Sequence, residues 1–169
     1  MSLPAALAQR FRDCFAAEPV GYRAPGRVNL MGEHTDYNGG FVLPVAIPFL
    51  TRALVAPRAD RLLCIASTHF DEVVERPLDA APGPTGHWSD YVWGVARALS
   101  DRGIDVGGAN LLVHGEVPVG AGLSSSAALE VAVARALLAR ASASLAPAGI
   151  AAVGQEAENV HVGMRCGIM

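Results

Sequence analysis

The chain has 169 residues, 51% of them hydrophobic and 17% charged, with a formal net charge of −3. That is enough chain to bury the core of one domain, and it carries no basic field of the kind that holds a nucleic-acid backbone, so nucleic acid is not an expected partner. All 13 cations are Arg. Without Lys, a Walker-type phosphate loop and Schiff-base chemistry are both excluded. The excess of Ala and Arg is the composition of GC-rich coding. Cys14, Cys64 and Cys166 are odd in number and widely spaced, which argues against a disulfide framework or a zinc site and for a reducing compartment. Residues 1–9 have no side-chain cation ahead of their short apolar run, unlike a secretory leader. The longest apolar run, residues 41–50, contains Pro44 and Pro48 and is too short to span a bilayer. The expectation is a soluble cytoplasmic protein without a membrane partner.

Both hydrophobic periods occur, so the class is α/β or α+β. Residues 2–17 place Leu3, Leu7, Phe11, Cys14 and Phe15 at helical spacing. Short strand-like runs follow at 20–23, 28–31, 41–47, 52–56, 62–67 and 72–76, with Asn38-Gly39-Gly40 as a turn signal. Strands bunched without long helices between them favour a mixed or antiparallel sheet over a doubly wound parallel one. Residues 79–86 (DAAPGPTG) form a Pro/Gly connector. Beyond it the pattern predicts a helix over 88–102 ended by Gly103, a strand over 110–117, an Ala- and Leu-rich helix over 124–140, and a helix over 147–160 with Pro147 in its first turn.

Three constellations could carry chemistry. In residues 117–127 a Gly-rich turn leaves a strand and opens the long helix. Gly120 and Gly122 let the backbone approach an anion, Ser124, Ser125 and Ser126 offer hydroxyls and caps, and the helix N-terminus favours negative charge. With no Lys, a phosphate here would be held by backbone N–H groups, hydroxyls and a metal; an ordinary capped helix start fits the same spacing. In residues 24–40 the polar run Glu33-His34-Thr35-Asp36 interrupts apolar strands. Such a density of donors and acceptors suits a polyol, with a metal site or a solvated hairpin loop as the rival readings. In the third, Glu156 and Glu158 sit two apart on a helix and so point to different faces, which allows one to face a metal and the other solvent; an ordinary solvated helix face fits the same pair. Cys166 has no evident base, which speaks against a nucleophile. Trp88 and Trp93 fall on the helix after the connector, where aromatic residues are usually core; an exposed Trp there could stack on a nucleotide base.

Together these motifs resemble a known family. PGRVNLMGEHTDYNGG (25–40) is similar to the galactokinase signature, PVGAGLSSSAALE (118–130) to the phosphate loop of the GHMP small-molecule kinases, and GMRCGIM (163–169) to the galactokinase segment leading into the catalytic Asp. The Glu-His-Thr-Asp loop is the specific part, since homoserine and mevalonate kinases share the phosphate loop. The resemblance implies an α+β fold: a mixed or antiparallel sheet packed with helices, the ribosomal-protein-S5-like N-terminal domain of a GHMP kinase. It also implies transfer of the γ-phosphoryl of ATP to the anomeric hydroxyl of α-D-galactose, with ATP and Mg²⁺ required. Carried over by position, Arg27 would stabilise the transferring phosphoryl group and help keep the catalytic Asp ionised. Glu33, His34 and Asp36 would bind sugar hydroxyls with Thr35 in the same loop, and Gly167 would approach the sugar through its backbone. Gly120, Ala121, Gly122, Leu123, Ser124, Ser125 and Ser126 would cradle the ATP phosphates, Ser126 and Glu158 would hold Mg²⁺, and Trp88, with Ser67 as a weaker candidate, would lie at the adenine.

The chain departs from the family pattern in two places. Arg165 stands where family members usually have Pro, at a turn beside the sugar. The catalytic Asp would follow Met169, so residues 1–169 are expected to be an incomplete N-terminal domain, without the family's C-terminal domain. A missing general base removes about 10²–10⁴-fold, and a missing cleft wall removes positioning worth about 7–11 kcal/mol. These residues alone are therefore expected to show no useful kinase activity and to expose an apolar face. The alternatives are an N-acetylgalactosamine or other sugar-1-kinase, a non-catalytic sugar and ATP sensor, and a degraded gene product.

Overall fold

Alternate residues of the central strands enter two different cores. Ala53 and Val55 face one side with Leu63, Ile65, Leu111 and Val113, whereas Leu54, Ala56, Ala66 and Leu112 face the other, as the two-residue period of a strand requires. The computed structural model describes residues 3–32, 40–80 and 83–168. Its elements in chain order are α1 (Ala5–Phe15), β1 (Val20–Asn29), β2 (Pro44–Pro57), β3 (Leu62–Ser67), β4 (Phe70–Pro77), α2 (Ser89–Ser100), β5 (Ala109–Gly115), α3 (Ser125–Arg140) and α4 (Pro147–Glu156), which continues into a π-helical segment, Ala157–Val162. The strand order is β1-β2-β5-β3-β4. All neighbours are antiparallel except β3 and β5, so the sheet is mixed and the class α+β.

Helix α1 covers one face through Phe11, with Leu3, Leu7, Cys14 and Phe15 beside it. Helices α2, α3, α4 and the π-helical segment cover the other, where Val92, Val95, Leu99, Leu137 and Val153 are buried. Each such Val or Leu contributes about 1.5–3 kcal/mol of transfer free energy. Ala132, Ala134 and Ala136 on α3 are fully buried; their small side chains allow the helix to lie close on β1 and β2.

The sequence splits two strands that the structure joins. The runs at 20–23 and 28–31 are one strand, β1, with a register irregularity between Pro25 and Arg27. Those at 41–47 and 52–56 become the single strand β2. Pro44 and Pro48 are tolerated within it because β5 pairs with β2 only from Thr51 onward, so they remove no bond on that side. Strand β5 ends at Gly115 rather than at 117, α2 begins one residue after Trp88, and the last helix changes to π geometry at Ala157. Among the described residues no helix is long and apolar enough to cross a membrane.

Candidate active site

The turn from β5 to α3 is fixed at both ends. At its start, the Glu116 N–H donates to the Leu50 carbonyl (2.9 Å), the Leu50 N–H donates to Glu116 Oε2 (3.2 Å), and Arg52 pairs with Glu116 Oε1. The Arg52 guanidinium holds the Glu116 carboxyl below its ordinary range. At its end, the Arg27 N–H donates to the Leu123 carbonyl (3.0 Å). Gly26 makes that approach feasible: a Cβ there would lie 2.9 Å from the Leu123 oxygen and 3.0 Å from the Val117 methyl carbons. Between the anchors Gly120 and Gly122 adopt φ +74° and +70°, and a Cβ on either would meet only open space. These glycines are needed for backbone conformation.

Ser124 is the N-cap of α3 in the left-handed region (φ 59°, ψ 47°) and makes no side-chain cap bond. This corrects the expectation that its hydroxyl caps the helix. The first turn therefore opens to the adjoining space without a capping oxygen of its own, a geometry suited to an anion.

Two cavities flank this turn, and Ser126 lines both. The first, about 460 Å³, is bounded by Arg27, Ser126, Glu130, Gly154 and Glu158, with Gly167 at its rim. The second, about 480 Å³, is bounded by Ser67, Phe70, Trp88, Tyr91, Val119 and Ser125. Ser126 Oγ donates to Glu158 Oε2 across the first cavity (3.4 Å), while Glu156 pairs with Arg102 at 2.5 Å on another face. The tail 163–168 is held over the first cavity by two side chains. Asn159 Oδ1 accepts from the Cys166 N–H (2.8 Å), and Gln155 Nε2 donates to the Cys166 carbonyl (3.3 Å). Gly163, at φ +84°, turns the chain there. Arg165 is exposed.

In the second cavity the Trp88 Nε1–H donates to Glu72 (2.8 Å), and this bond lowers the Glu72 carboxyl. Phe70 stacks on the Trp88 ring at 5.3 Å. The half-buried Trp88 indole is thereby oriented, whereas Trp93 is core. Ser67 is buried at the end of β3, where its Oγ accepts from the His69 N–H.

Thus Arg27, Ser124, Ser126, Glu158 and Gly167 meet around one cavity, and Trp88, Ser67 and Ser125 line the next. Glu33, His34, Thr35 and Asp36 lie outside the described residues. Sequence reasoning missed Tyr91 and Phe70, which bear no motif, and Glu130. The last could have been found as the only ionisable residue among the first ten positions of α3. Burial, and then the nearby Glu158, push its carboxyl up to about 9.

The galactokinase galactose-binding signature matches residues 9–57, and the GHMP kinase N-terminal domain matches residues 90–169. The galactokinase of Lactococcus lactis, solved with galactose, superposes with a TM-score of 0.90 at 36% identity, covering 99% of this chain and 45% of that one. The chain belongs to the GHMP kinase family and carries the galactokinase signature. It spans less than half the length of that relative. The mevalonate kinase of Methanococcus jannaschii (TM-score 0.76, 18% identity, 88% of this chain and 49% of that one) shares the fold. So does the phosphomevalonate kinase of Streptococcus pneumoniae solved with phosphomevalonate and AMPPNP (0.65, 22%, 82% and 42%).

Proposed function

We propose that this GHMP kinase domain binds ATP and galactose side by side for transfer of the γ-phosphoryl group to the sugar's anomeric hydroxyl. The observation that carries the reading is the pair of cavities joined at Ser126, one with an oriented indole, the other with Arg27, Glu158 and the Gly167 rim. In this reading the adenine lies against Trp88, with Ser67 nearby. The phosphates lie along residues 120–126, where Gly120, Ala121, Gly122 and Leu123 offer backbone N–H groups and the α3 N-terminus favours negative charge. Arg27 extends toward the transferring group from the strand that is bonded to the loop. Phosphoryl transfer is largely positioning and charge neutralisation, which these parts supply. Glu33, His34, Thr35 and Asp36 are assigned to the sugar hydroxyls.

The chain's donors suit Mg²⁺. Ser126 Oγ and Glu158 Oε2 are both oxygens, 3.4 Å apart, facing one cavity, and a buried carboxyl oxygen of Glu130 beside them has no hydrogen-bond partner. No group of three or more His, Cys, Asp or Glu forms an all-protein cage among the described residues, and Mg²⁺ is commonly held by one or two protein oxygens with phosphates and water. When bound, the ion would neutralise phosphate charge.

Because the chain spans 45% of the galactokinase relative, the 169 residues are assigned the two binding sites and the first wall of the cleft, with little turnover by themselves. The test is calorimetric titration of ATP and, separately, of galactose and N-acetylgalactosamine, together with an ADP-release assay. Binding of ATP and preferential binding of galactose support the reading. Preference for N-acetylgalactosamine changes the substrate, and no nucleotide binding overturns it. Galactose-dependent ADP release at a rate comparable to a full-length galactokinase overturns the assignment of little turnover.

A further inference from the structure

A third cavity, of about 600 Å³, opens along the start of β1 and shares no described lining residue with the two that flank Ser126. The charged side chains of its described lining are all Arg: Arg23 from β1, Arg52 from β2 and Arg135 from α3. The chain as a whole carries −3, so the sign is reversed locally.

The sheet forces two of these cations together. Arg23 and Arg52 are register partners in the antiparallel β1–β2 pair, so their side chains leave the same face with Cβ atoms about 4.5–5.5 Å apart. Like charges placed directly opposite each other are unfavourable. Glu116 offsets part of this through its ion pair with Arg52. Arg135 brings a third cation from α3, which packs on the face where Tyr22 meets the larger core. The cavity thus gathers groups from both faces of the sheet around β1, its edge strand. Cations on an edge strand deter pairing with a foreign strand, which accounts for Arg23. That role does not account for Arg135, which lies on a helix and opens to the same cavity.

The rest of the wall includes apolar side chains. Leu3 lies on β1 over Gly21, where a Cβ would be 2.7 Å from Leu3 Cδ1, and Val20 and Tyr22 continue the surface. A concave site of this size, with apolar walls and a few convergent polar groups, is the usual form of a small-molecule site. Guanidinium forks match carboxylate and phosphate oxygens. Three forks from three elements offer more donors than the two oxygens of one planar carboxylate engage, and suit a tetrahedral phosphate.

We propose that the cavity of Arg23, Arg52 and Arg135 binds a small organic phosphate, with the phosphate oxygens on the guanidiniums and an apolar body against Leu3, Val20 and Tyr22.

The experiment is calorimetric titration of phenyl phosphate, and separately of inorganic phosphate, into the 169-residue protein at constant ionic strength, so that screening is fixed. It compares the wild type, Arg23→Gln, Arg135→Gln and Arg10→Gln, with an unfolding midpoint for each. Arg23, Arg135 and Arg10 are all exposed, and Gln removes the charge while keeping a polar amide. Arg10 lies on α1 outside the described lining and controls for net charge. The wild type is expected to bind phenyl phosphate with a Kd of about 1 mM or tighter. Arg23→Gln and Arg135→Gln should each bind about 10-fold more weakly, the worth of one hydrogen bond to a charged group, and Arg10→Gln should match the wild type. Inorganic phosphate should bind at least about fourfold more weakly than phenyl phosphate, for want of an apolar body. A wild type that does not bind phenyl phosphate overturns the proposal. Wild-type affinity in a folded Arg23→Gln or Arg135→Gln also overturns it, by placing the anion elsewhere, and an equal loss in Arg10→Gln overturns it by reducing the effect to net charge. If Arg23→Gln does not fold, Arg135→Gln decides alone: weakened binding supports the proposal and unchanged binding overturns it. Inorganic phosphate bound as tightly as phenyl phosphate overturns the organic ligand.

Discussion

The backbone N–H of Arg27 donates to the carbonyl of Leu123 at 3.0 Å, so the strand bearing the cation and the end of the Gly-rich turn are bonded to each other directly. The contact depends on Gly26, where a Cβ would be 2.9 Å from the Leu123 oxygen, a backbone atom that cannot rotate away. Gly26→Ala should therefore separate strand and turn, at about 1–3 kcal/mol, the usual cost of overpacking. Nucleotide affinity should fall with it. Thermal unfolding and ADP titration check both effects, and a variant unchanged in both would show that the contact is incidental.

Asp90 anchors the segment that leads into the second cavity. Its carboxylate takes the Thr85 N–H at 2.7 Å, the Gly86 N–H at 3.0 Å and Arg76 at 2.9 Å, with both members of the ion pair largely buried. Removing one partner of a buried pair costs about 3–5 kcal/mol because the other charge is left behind. Asp90→Ala is expected to lose stability on that scale in a denaturant titration. It should also free the turn at 85–86 that precedes Trp88, detectable as a red shift in tryptophan emission.

Much of this was readable from residue order. The Gly-rich turn, the Ala-rich helix after it and the two acids near its partner helix are local patterns, and hydrophobic period locates them. Joining 41–47 to 52–56 was not readable, because Pro48 reads as a break until the sheet shows that β5 stops short of it. The missing cap at Ser124 depends on a left-handed backbone that Ser rarely adopts and that composition does not announce. Glu130 was visible as an acid in an apolar helix, but its burial depends on Gly154 of α4, 24 residues later, where a Cβ would lie 3.2 Å from Glu130 Oε2. Phe70 and Tyr91 come together at the second cavity only through the pairing of β3 with β4 and the packing of α2.

Trp88 is placed to report on nucleotide. Glu72 holds its indole N–H and Phe70 covers part of its ring, leaving it half-buried at the second cavity, while Trp93 is sealed in the core. ADP should change the emission of the wild-type protein, and Trp88→Leu should abolish that change. The variant should bind ADP about 2–10-fold more weakly, in line with the 0.5–1.5 kcal/mol of an aromatic pair. An emission change that persists in Trp88→Leu would move the adenine elsewhere.

Glu130 should leave a signature in the pH dependence of stability. Its carboxyl rises from an ordinary 4.5 to about 9 in the folded protein, chiefly through burial. Below the ordinary value the group is neutral in both states and imposes no charge penalty. As pH rises above it the unfolded chain ionises while the folded one keeps the proton, so stability is lost until the folded group also ionises. The slope of that loss is about 1.4 kcal/mol per pH unit for one proton, which makes the penalty up to about 3 kcal/mol at pH 7. Glu130→Gln has no proton to lose. Its advantage over the wild type should be smallest in mild acid and should widen steadily through neutral pH, as measured by urea unfolding at stepped pH values. Parallel curves for the two proteins would mean that Glu130 ionises normally, through a conformation in which water or a cation reaches it.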